Sequence, residues 1–583
     1  MRILGVSDGM NGGVALIEDG RLRYVVQEER LTRKKMATGF PRESISRVLE
    51  DTGIRPSEID AVAVATINEF FREPAVAYDG WLMREQTRLK ELMLNVSSVV
   101  TRVGGAPPLL KRGYYEIKTL LGGSRRRVIK QRLRDDWGFT CPIEFINHHF
   151  AHACSAYFTS GFDDATVITK DGAGDNHCSH VYEVRGGRFR RLWQVDSFDS
   201  VGNYYAYVTH LCGFKAQKHE GKITGLAAYG EPTYLDALRR FVTYRDGSTA
   251  NTGQVFYWAA VKALQKALPN PFSKEDLAAS VQKLLEEVCC AYVSHWVERT
   301  GCRNVALAGG VFANVKLNQY VHELEHVDSV FIHPGMGDEG LAVGAALALA
   351  AQHNAGSGPE LGSATLDDVY FGPGFGEKRI AEEIKRQGLE AEYVADMDRR
   401  IAELLAQGRV VARFDGRLEY GPRALGNRSV LYQPTDPTVN DWLNKKLRRT
   451  EFMPFAPVTL EGYADQCYEG MDGARYPAQF MTITFNCTKW MKENCPAVVH
   501  VDGTARPQTI NERTNPSYYR IVEEYRKLTG LPSVINTSFN MHEEPIVCTP
   551  YDAIRGFIDG GLDYLAMGHF LLENKDSDRR TGN

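Results

Sequence analysis

The sequence predicts an α/β protein built from two domains. Its 583 residues exceed the length of a single hydrophobic core, which rarely grows past about 250–300 residues. Short apolar segments with turn signals open the chain, and strand-like segments alternate with helical patterns farther on. Small and polar residues take over at 350–364 (AAQHNAGSGPELGSA). We therefore place an N-terminal domain at 1–355 and a C-terminal domain at 365–583.

The composition is that of an ordinary globular protein. Hydrophobic residues make up 43% of the chain, charged residues make up 24%, and the formal net charge is -4. This charge gives no overall attraction to nucleic acid or to an anionic membrane, so we expect neither as a partner. No apolar segment reaches the ~20 residues of a membrane helix and no signal-peptide pattern opens the chain, so we expect a cytoplasmic protein. The sequence is compatible with a homo-oligomer.

The N-terminus predicts an antiparallel meander. Ile3–Ser7 is a short apolar segment, the turn DGMNGG follows, and Val14–Ile17 resumes the apolar pattern before the turn EDGR and the segment LRYVVQEER. Actin-like and sugar-kinase-like nucleotide-binding domains share such an opening, although many other folds contain a hairpin. The charged segment that follows, EERLTRKK, is typical of a solvated loop when it is taken alone.

The next segments predict a helix at Ser44–Thr52, a buried strand at Ala61–Ala65 and then an insertion over about residues 69–138. The insertion contains helical segments, the breakers GGAPP and GGS, and the basic segment Arg125–Arg134. A basic segment is compatible with an anionic acceptor. More often it forms the solvated face of a helix, so we assign it no function.

The segment INHHFAHACSAYF contains candidate metal ligands. In a helix, residues four positions apart share a face, so His148 and His152 align with Ser155. His149 points about 100° away from His148, although it could pair with His152. Two histidines at this spacing are typical of a metal site, and two core histidines are an equal alternative before other motifs are considered.

Two aspartates at the ends of predicted strands are the matching candidates. The strand Ala165–Thr169 runs into KDGAGD, where glycines around Asp171 allow a metal or a phosphate to approach the backbone; a plain Asp-Gly turn is the alternative. Asp338 in GMGDEG lies in the first turn of the predicted helix Leu341–Gln352, where it could instead cap backbone amides. Two imidazoles and two carboxylates are enough to hold one divalent metal ion.

A strand followed by two glycines predicts a nucleotide site in the same domain. Val305–Ala308 leads into Gly309 and Gly310, and Asn314 follows at the start of a helix. Glycines at such a junction let a nucleotide lie against the backbone amides of the helix N-terminus.

The C-terminal domain carries several cationic loops. After the strand Val410–Phe414, the segment DGRLEYGPRALGNRS places arginines among glycines, which suits a bidentate grip on phosphate oxygens. Cationic loops in a domain of balanced charge predict a small polyanionic ligand and not a nucleic-acid groove. The cationic and polar candidates are Arg417, Arg423, Arg428, Lys445, Lys446, Arg448, Arg449, Arg506, Asn536 and Ser538.

Taken in order, these motifs resemble the O-carbamoyltransferases of antibiotic biosynthesis and nodulation-factor modification, the family of the nebramycin and cephem carbamoyltransferases. The resemblance covers nearly the whole chain. It rests on EERLTRKK, HHFAHA, DGAGD, GKITGLAAYG, LAGGVFANVKLN, GMGDEG, GRLEYGPRALGNRS, FMPFAP, HVDGTARPQT and NTSFN with EEPIV. It implies an actin-like (ASKHA, RNase H-like) N-terminal domain, related to the universal tRNA-threonylcarbamoyladenosine protein, and a YrdC-like α/β C-terminal domain.

The resemblance also implies a reaction and residue roles. The YrdC-like domain would make carbamoyladenylate from carbamoyl phosphate and ATP with Mg²⁺, and the first domain would pass the carbamoyl group to a small-molecule acceptor. Fe(II) is the implied metal, with Mn(II) and Zn(II) equally suited to the ligands. The ligands would be His148, His152, Asp171 and Asp338. The carbamoyladenylate would contact Lys35, Gly309, Gly310 and Asn314. Carbamoyl phosphate and ATP would bind Arg423, Arg428, Lys446 (or Lys445), Arg506, Asn536 and Ser538.

The first hairpin departs from the family pattern. Related sequences carry a histidine there, in a pattern like HDSAAAL, that acts as the general base; here MNGGVAL places Met10 at the histidine position and Asn11 at the aspartate position. Methionine cannot accept a proton. The alternatives are therefore a carbamoyltransferase with another base, a variant that carbamoylates an amine or performs another adenylate-dependent acyl transfer, and a non-catalytic nucleotide-binding relative. Met453 is a second departure, since many relatives have arginine there.

Overall fold

The computed structural model describes residues 1–69, 71–81, 108–357, 361–448 and 455–575. The chain divides into two compact units. The first unit comprises Met1–Arg23 and Ala37–Thr365, and the second comprises Tyr24–Met36 and the chain from Leu366 onward. The predicted N-terminal domain ran without interruption from 1 to 355, whereas the short segment Tyr24–Met36 belongs to the second unit. Met453 lies outside the described residues.

The described residues form the following strands and helices. The strands are β1 (Arg2–Ser7), β2 (Gly13–Glu18), β3 (Arg21–Gln27), β4 (Ala61–Ala65), β5 (Ile143–Ile146), β6 (Asp164–Gly174), β7 (His177–Arg185), β8 (Arg188–Asp196), β9 (Thr243–Arg245), β10 (Ser248–Ala250), β11 (Asn304–Ala308), β12 (Ser329–Ile332), β13 (Glu392–Tyr393), β14 (Val411–Phe414), β15 (Arg428–Tyr432), β16 (Ala456–Leu460), β17 (Phe485–Asn486), β18 (Thr504–Ala505), β19 (Gln508–Ile510), β20 (Ser533–Ser538), β21 (Tyr564–Met567) and β22 (Phe570–Glu573). The α-helices are α1 (Glu28–Thr32), α2 (Arg42–Thr52), α3 (Pro108–Trp137), α4 (His148–Phe158), α5 (Val201–Leu211), α6 (Glu220–Ala227), α7 (Leu235–Arg239), α8 (Tyr257–Ala267), α9 (Lys274–Thr300), α10 (Val315–His322), α11 (Leu341–Ser357), α12 (Glu377–Arg386), α13 (Met397–Ala406), α14 (Val439–Lys446), α15 (Ala464–Cys467), α16 (Arg475–Ala478), α17 (Lys489–Asn494), α18 (Pro516–Thr529) and α19 (Pro550–Gly560). Short 3-10 helices cover Pro56–Glu58, Ser197–Asp199, Gly310–Ala313, Asp338–Gly340, Glu461–Tyr463 and Pro496–Val498.

The first unit contains two five-stranded sheets of the same topology. One has the order β3-β2-β1-β4-β5, and the other has the order β8-β7-β6-β11-β12. Within each sheet, an antiparallel meander is extended by two strands that run parallel to its first strand. The helical connections that parallel strands require lie between them in the chain. This duplicated arrangement is actin-like, so the predicted fold class of the N-terminal domain is confirmed.

Two helices pack against each other between these sheets. Helix α4 follows the fifth strand of one sheet, and α11 follows the fifth strand of the other. Their contact needs a residue without a side chain, since a Cβ on Gly344 would lie 1.8 Å from the carbonyl oxygen of Ala151. The contact of α11 with β1 has the same requirement, since a Cβ on Gly5 would lie 1.9 Å from the carbonyl oxygen of Ala342. The close packing fixes the N-termini of both helices, which begin at or next to candidate metal ligands.

Part of the predicted insertion is buried. Arg125 on α3 is 1% exposed, forms an ion pair with Asp8, and donates hydrogen bonds to the carbonyl oxygens of Ala65 and Thr66. At this position, therefore, the basic segment does not form the solvated face that its charge pattern predicts. Residues 82–107 of the predicted insertion lie outside the described residues. Among the residues that are described, no helix has both the length and the apolar character of a membrane span.

The second unit is built on one eight-stranded mixed sheet with the order β13-β22-β21-β14-β15-β20-β16-β19. Strand β14 pairs antiparallel with β15 and parallel with β21, and β16 pairs parallel with β19. Helices α13 and α18 cover the sheet and bury a core that includes Ile401, Leu405, Ile521 and Tyr525. The second unit is therefore an α/β domain, as the family resemblance implied.

The charged segment EERLTRKK is not a solvated loop, so that prediction was wrong. It forms the short helix α1, in which Glu28, Glu29 and Arg30 are buried. Arg30 donates to the carbonyl oxygen of Gly421 at 2.9 Å, and Arg33 donates to those of Pro545 and Ile546 at 2.7 Å. These partners lie hundreds of residues away in the sequence, so a local charge pattern could not reveal them.

Candidate metal centre

Four side chains from three separate segments converge in the first unit. His148 and His152 lie on α4, Asp171 lies on β6, and Asp338 lies in the 3-10 helix before α11. One ligand atom from each lies within 4.8 Å of those of the others. His152 Nε2 is 3.3 Å from Asp171 Oδ2 and 3.6 Å from Asp338 Oδ1, and the matching distances from His148 Nε2 are 3.6 and 3.7 Å. The structure therefore brings together the four residues that the sequence analysis selected.

The donor set fits a divalent transition metal ion. Among the described residues, His148 Nε2, His152 Nε2 and Asp171 Oδ2 are buried and have no hydrogen-bond partner. Four ligands placed tetrahedrally at about 2.1 Å from an ion would lie about 3.4 Å apart, close to the distances seen here. Two imidazole nitrogens and two carboxylate oxygens suit Fe(II), Mn(II) and Zn(II) alike, so the donor chemistry does not select among them.

The two carboxylates and the imidazoles strongly influence each other's ionisation. Burial alone would lower the pKa of His152, but Asp171 and Asp338 raise this pKa to about 9. Burial alone would raise the pKa of Asp171, but His148 and His152 hold it well below its usual range. The site thus stabilises positive charge between two carboxylates, which is what a cation requires.

A bulge in β6 orients Asp171. The register of β6 against β7 shifts between Lys170 and Gly174, and the turn itself is formed by Asp175 and Asn176, both at positive φ. The sequence predicted a turn at the start of KDGAGD, whereas the strand continues through it. Bulges commonly redirect a side chain, and this one lies at the candidate ligand.

The second aspartate of KDGAGD, Asp175, holds the start of α4 in place. Its carboxylate accepts hydrogen bonds from the backbone N–H groups of His148 at 2.7 Å, Ile67 at 3.0 Å and Asn68 at 2.7 Å. The sequence analysis assigned Asp175 no role. The acidic residue just after the strand was a visible signal, but its partners come from two distant segments.

His148 is also held from its other ring nitrogen. Thr66 Oγ1 lies 3.3 Å from His148 Nδ1, and the carbonyl oxygen of Thr66 accepts a hydrogen bond from the buried Arg125. Histidines that bind metals usually have such a partner on the second nitrogen, because it fixes the tautomer and the ring orientation.

His149 does not join the metal set. Its Nδ1 lies 2.9 Å from Thr169 Oγ1, and its Nε2 lies 3.0 Å from the carbonyl oxygen of His177. Burial, together with the neighbouring His148 and His180, holds the pKa of His149 well below its ordinary value. It is therefore a neutral core histidine, and the two candidate ligands on α4 lie four residues apart.

The first hairpin turn lies beside the candidate metal centre. Asn11, at positive φ, donates a hydrogen bond to Glu339 Oε2 at 3.4 Å, and Glu339 Oε1 accepts from the backbone N–H of Gly337. Glu339 follows the candidate ligand Asp338 directly, and burial raises the pKa of Glu339. An aspartate at position 11 would face Glu339 as a second carboxylate, so the amide of Asn11 removes a like-charge contact.

Gly309 and Gly310 let the turn after β11 approach the ligand strand. Gly309 has φ +106°, and a Cβ there would lie 2.3 Å from the carbonyl oxygen of Lys170. A Cβ on Gly310 would lie 3.0 Å from Asp171 Oδ1. The two glycines therefore place backbone next to the candidate metal centre.

Asn314 uses its side chain within the protein. It accepts a hydrogen bond from Leu317 N at 3.0 Å as the N-cap of α10, and its amide donates to Gln282 Oε1 at 2.7 Å and to Thr224 Oγ1 at 3.3 Å. These contacts use both the oxygen and the nitrogen of the amide, and they position α10. The contact of Asn314 with carbamoyladenylate stays a prediction.

Arg428, predicted as a phosphate ligand, is part of the core of the second unit. It is 0% exposed, donates to the carbonyl oxygens of Asp415 at 2.6 Å and Gly416 at 3.2 Å, and stacks over the Phe414 ring at 3.8 Å. Burial lowers its pKa to about 10. The guanidinium is directed at backbone carbonyls and shapes the loop 415–427. The role of Arg428 in phosphate binding stays a prediction.

A buried pair of side-chain amides links two of the predicted segments of the second unit. Asn536 Nδ2 donates to Gln508 Oε1 at 2.7 Å and to the carbonyl oxygen of Ala424 at 3.1 Å. Ala424 adjoins Arg423, and Gln508 lies two residues after Arg506. The pair therefore brings two predicted arginine-bearing loops together, and Gln508 is a residue that the sequence analysis missed.

The remaining predicted residues of the second unit are spread over other elements. Ser538 ends β20 opposite Ser429. Lys446 donates to the carbonyl oxygen of Gly561 at 3.3 Å and lies 3.6 Å from Asp563 Oδ1, while Lys445 is exposed. Lys35 follows α1 and is half-buried.

Comparison with known proteins assigns the class. A family model described as "Carbamoyltransferase N-terminus" matches residues 2–347, and one described as "Carbamoyltransferase C-terminus" matches residues 402–574. The chain belongs to the carbamoyltransferase family and is therefore a transferase enzyme, which sets aside the non-catalytic alternative.

Several relatives are similar over most of the chain. Nodulation protein NolNO of Sinorhizobium fredii is 32% identical over 97% of this chain and 79% of its own length. Nodulation protein NolO of Bradyrhizobium diazoefficiens is 33% identical over 74% of this chain and 79% of its own length, and nodulation protein U of Rhizobium tropici is 28% identical over 93% and 91%. Among solved structures, HypF of T. kodakarensis is 15% identical over 61% of this chain and 48% of that chain, with a TM-score of 0.30.

Proposed function

We propose that the protein makes carbamoyladenylate from carbamoyl phosphate and ATP in its second unit and passes the carbamoyl group to a small-molecule acceptor in its first. The observation that carries the proposal is the convergence of His148, His152, Asp171 and Asp338 in the actin-like unit of a carbamoyltransferase. In the first step carbamoyl phosphate, ATP and water give carbamoyladenylate, phosphate and pyrophosphate, with Mg²⁺ accompanying ATP.

The chemistry explains why an adenylate is useful. Carbamate is a poor electrophile because its nitrogen and oxygen donate into the carbonyl group. Joining it to AMP provides a good leaving group for the second step. Arg423 and Arg506, on the two loops that Asn536 and Gln508 hold together, would bind phosphate oxygens through their guanidinium groups.

The metal centre has a defined place in this proposal. A divalent ion held by His148, His152, Asp171 and Asp338 would supply Lewis-acid stabilisation of negative charge during carbamoyl transfer. The chain itself keeps His148 in position through Asp175 and Thr66. It also brings the backbone of Gly309 and Gly310 next to Asp171, where the adenylate is proposed to lie.

Product analysis tests the first step. The protein is incubated with carbamoyl phosphate and ATP, and pyrophosphate and carbamoyladenylate are measured by enzymatic assay and mass spectrometry. Both products are expected, and Arg506→Ala should reduce them more than 10-fold because a charge-assisted phosphate contact is lost. Arg513→Ala, at an exposed arginine of the same unit, is the matched control. Absence of both products from the unaltered protein would contradict the proposal.

Met10 and the Asn11–Glu339 contact favour a second candidate, in which the acceptor is an amine. An amine is a better nucleophile than an alcohol and depends less on a general base. A panel of paired alcohol and amine acceptors, analysed by mass spectrometry for carbamoylated products, separates the two. Products from amines alone support N-carbamoylation, and products from alcohols alone exclude it. Met10→His should then raise the rate with alcohols if the hairpin is the base site.

A further inference from the structure

The second step releases a proton, and Met10 cannot accept it. When the acceptor oxygen or nitrogen attacks the carbamoyl carbon, the acceptor must give up its hydrogen as AMP departs. Another group of the first unit must therefore take this proton or pass it to water. A suitable group is a carboxylate that is partly shielded from bulk water and connected to the site of Asp171 and Asp338.

Glu220 meets these requirements through two neighbours. It is the first residue of α6, and its Oε1 accepts a hydrogen bond from the backbone N–H of Gln217. The side-chain oxygen of Gln217 accepts a hydrogen bond from the Tyr78 hydroxyl at 2.7 Å. A Cβ on Gly172, the residue after Asp171, would lie 3.4 Å from Gln217 Nε2. The side chain of Gln217 thus packs against the ligand strand, and its backbone holds Glu220.

The ionisation of these groups agrees with the geometry. Burial raises the pKa of Tyr78, and the charges of Glu220 and of the candidate ligand Asp338 raise it further. Both carboxylates therefore act on the Tyr78 hydroxyl. The titratable groups that respond to Glu220 are Tyr78 and Tyr205, the latter on α5. Burial raises the pKa of Glu220 to about 7, although hydrogen bonds from Gln217 and Thr209 oppose the shift.

A purely structural role does not account for these features. A glutamate in the first turn of a helix ordinarily stays ionised, because the helix dipole favours its negative charge. At Glu220 desolvation outweighs both the dipole and the hydrogen bonds. Partly buried carboxyl groups whose pKa is raised toward neutral pH are typical of acid–base catalysts.

We propose that Glu220 is the proton acceptor in carbamoyl transfer, and that Tyr78 and Gln217 position the acceptor molecule beside it. The proposal rests on the proposed function. The acceptor oxygen or nitrogen forms a bond to the carbamoyl carbon, and its proton moves to the Glu220 carboxylate. The bond from that carbon to the phosphate oxygen breaks, and AMP leaves with the electron pair.

The test separates adenylation from transfer. The metal-loaded protein and its Glu220→Gln, Glu220→Asp, Glu339→Gln and Glu275→Gln variants receive carbamoyl phosphate, ATP and ethanolamine, a probe that offers one hydroxyl and one amine. Pyrophosphate release reports adenylation, and AMP release reports transfer to ethanolamine or to water. Glu275 is the matched control, since it lies in the first turn of α9 in the same unit and is exposed.

The expected result is a selective loss. Glu220→Gln should lower AMP release about 100-fold or more relative to pyrophosphate release, as the loss of a general base does. It should also remove the rise of the transfer rate around pH 7, while metal content stays that of the unaltered protein. Glu220→Asp should keep the pH-dependent rise at a reduced rate, and Glu275→Gln should change nothing.

Any one of four results would overturn the proposal. Transfer by Glu220→Gln within about threefold of the unaltered protein, or a persistent rise around pH 7 in this variant, would show that another group takes the proton. The same rise removed by Glu339→Gln but not by Glu220→Gln would assign the role to Glu339. If the unaltered protein makes no carbamoyladenylate, the proposed function itself fails, and the role of Glu220 fails with it.

Discussion

His152 lies between two carboxylates, so a proton and a metal ion compete for the same place. Asp171 and Asp338 favour the imidazolium form of this fully buried ring in the protein without metal. Metal binding instead requires the neutral ring, so it releases that proton. The affinity for metal should therefore rise with pH until His152 no longer holds a proton.

The metal-free protein should lose stability as the pH rises above neutrality. The pKa of His152 is raised from 6.5 to about 9, so its stabilising contribution is complete below pH 6.5 and is lost as the pH passes through about 9. The loss should be on the order of 3 kcal/mol and is measured by urea unfolding after chelator treatment. His152→Ala should flatten this dependence, whereas His326→Ala, at an exposed histidine, should retain it. A flat profile in the unaltered protein would contradict the prediction.

Removal of one imidazole should deprive the protein of its metal. His148→Ala leaves three ligands, so the affinity for Fe(II) or Zn(II) should fall more than about 100-fold, because losing even an outer hydrogen-bond partner costs 10–100-fold. Metal content after dialysis, measured by mass spectrometry, checks this. The control is again His326→Ala, and equal metal content in both variants would exclude His148 as a ligand.

At the residue scale, sequence spacing identified what a single element determines. The positions of His148 and His152 follow from the helical period, and their side chains do share one face. Asp175 was missed because its partners come from distant segments that no local pattern connects. Glu220 was missed because its link to the ligand strand passes through Gln217, whose side chain contacts Tyr78 and Gly172. Arg428 was selected as an arginine among glycines, but its burial depends on the packing of Phe414 and β15, which local sequence does not encode.

At the element scale, the pair α4 and α11 determines where the candidate ligands lie. Both helices follow the last strand of a sheet, and each has candidate ligands at its N-terminus. The apolar periodicity predicted both helices. It did not predict how closely they pack, because that depends on single glycines opposite backbone carbonyls.

Gly344→Ala should therefore be poorly tolerated. The new Cβ would overlap the carbonyl oxygen of Ala151, so α4 and α11 must separate, at an expected cost of about 3 kcal/mol or more. Gly221→Ala is the matched control, because a Cβ at this helical glycine meets nothing within 4 Å. That change should raise stability by about 0.5–1 kcal/mol. Thermal unfolding compares the two, and equal melting temperatures would contradict the packing argument.

At the scale of the whole molecule, the two units do not correspond to two continuous stretches of chain. The strand β3 begins in the first unit, and Tyr24–Met36 belongs to the second. The composition change near residue 360 is a local property and was visible in the sequence. The assignment of Tyr24–Met36 to the second unit was not visible in the sequence, because Arg30 and Arg33 bind carbonyl groups more than 300 residues away.

The second unit should therefore need the segment Tyr24–Met36 for full stability. A protein that starts at Leu366 lacks the segment that carries Arg30, Leu31 and Arg33. It should therefore melt at a lower temperature than a protein in which this segment is joined to it by a flexible linker. The linked protein that carries Arg30→Ala and Arg33→Ala should recover little of the lost melting temperature. Equal melting temperatures with and without the segment would show that it contributes no stability.

The place of Tyr24–Met36 in the second unit also has a consequence for synthesis on the ribosome. Arg30 leaves the ribosome 391 residues before its hydrogen-bond partner Gly421, which at about 5–20 residues per second is a delay on the order of 20–80 s. During that time the apolar and charged side chains of α1 have no partners from the second unit. The nascent chain is thus exposed to aggregation and to chaperones for that interval, and its folding is complete only once translation has ended.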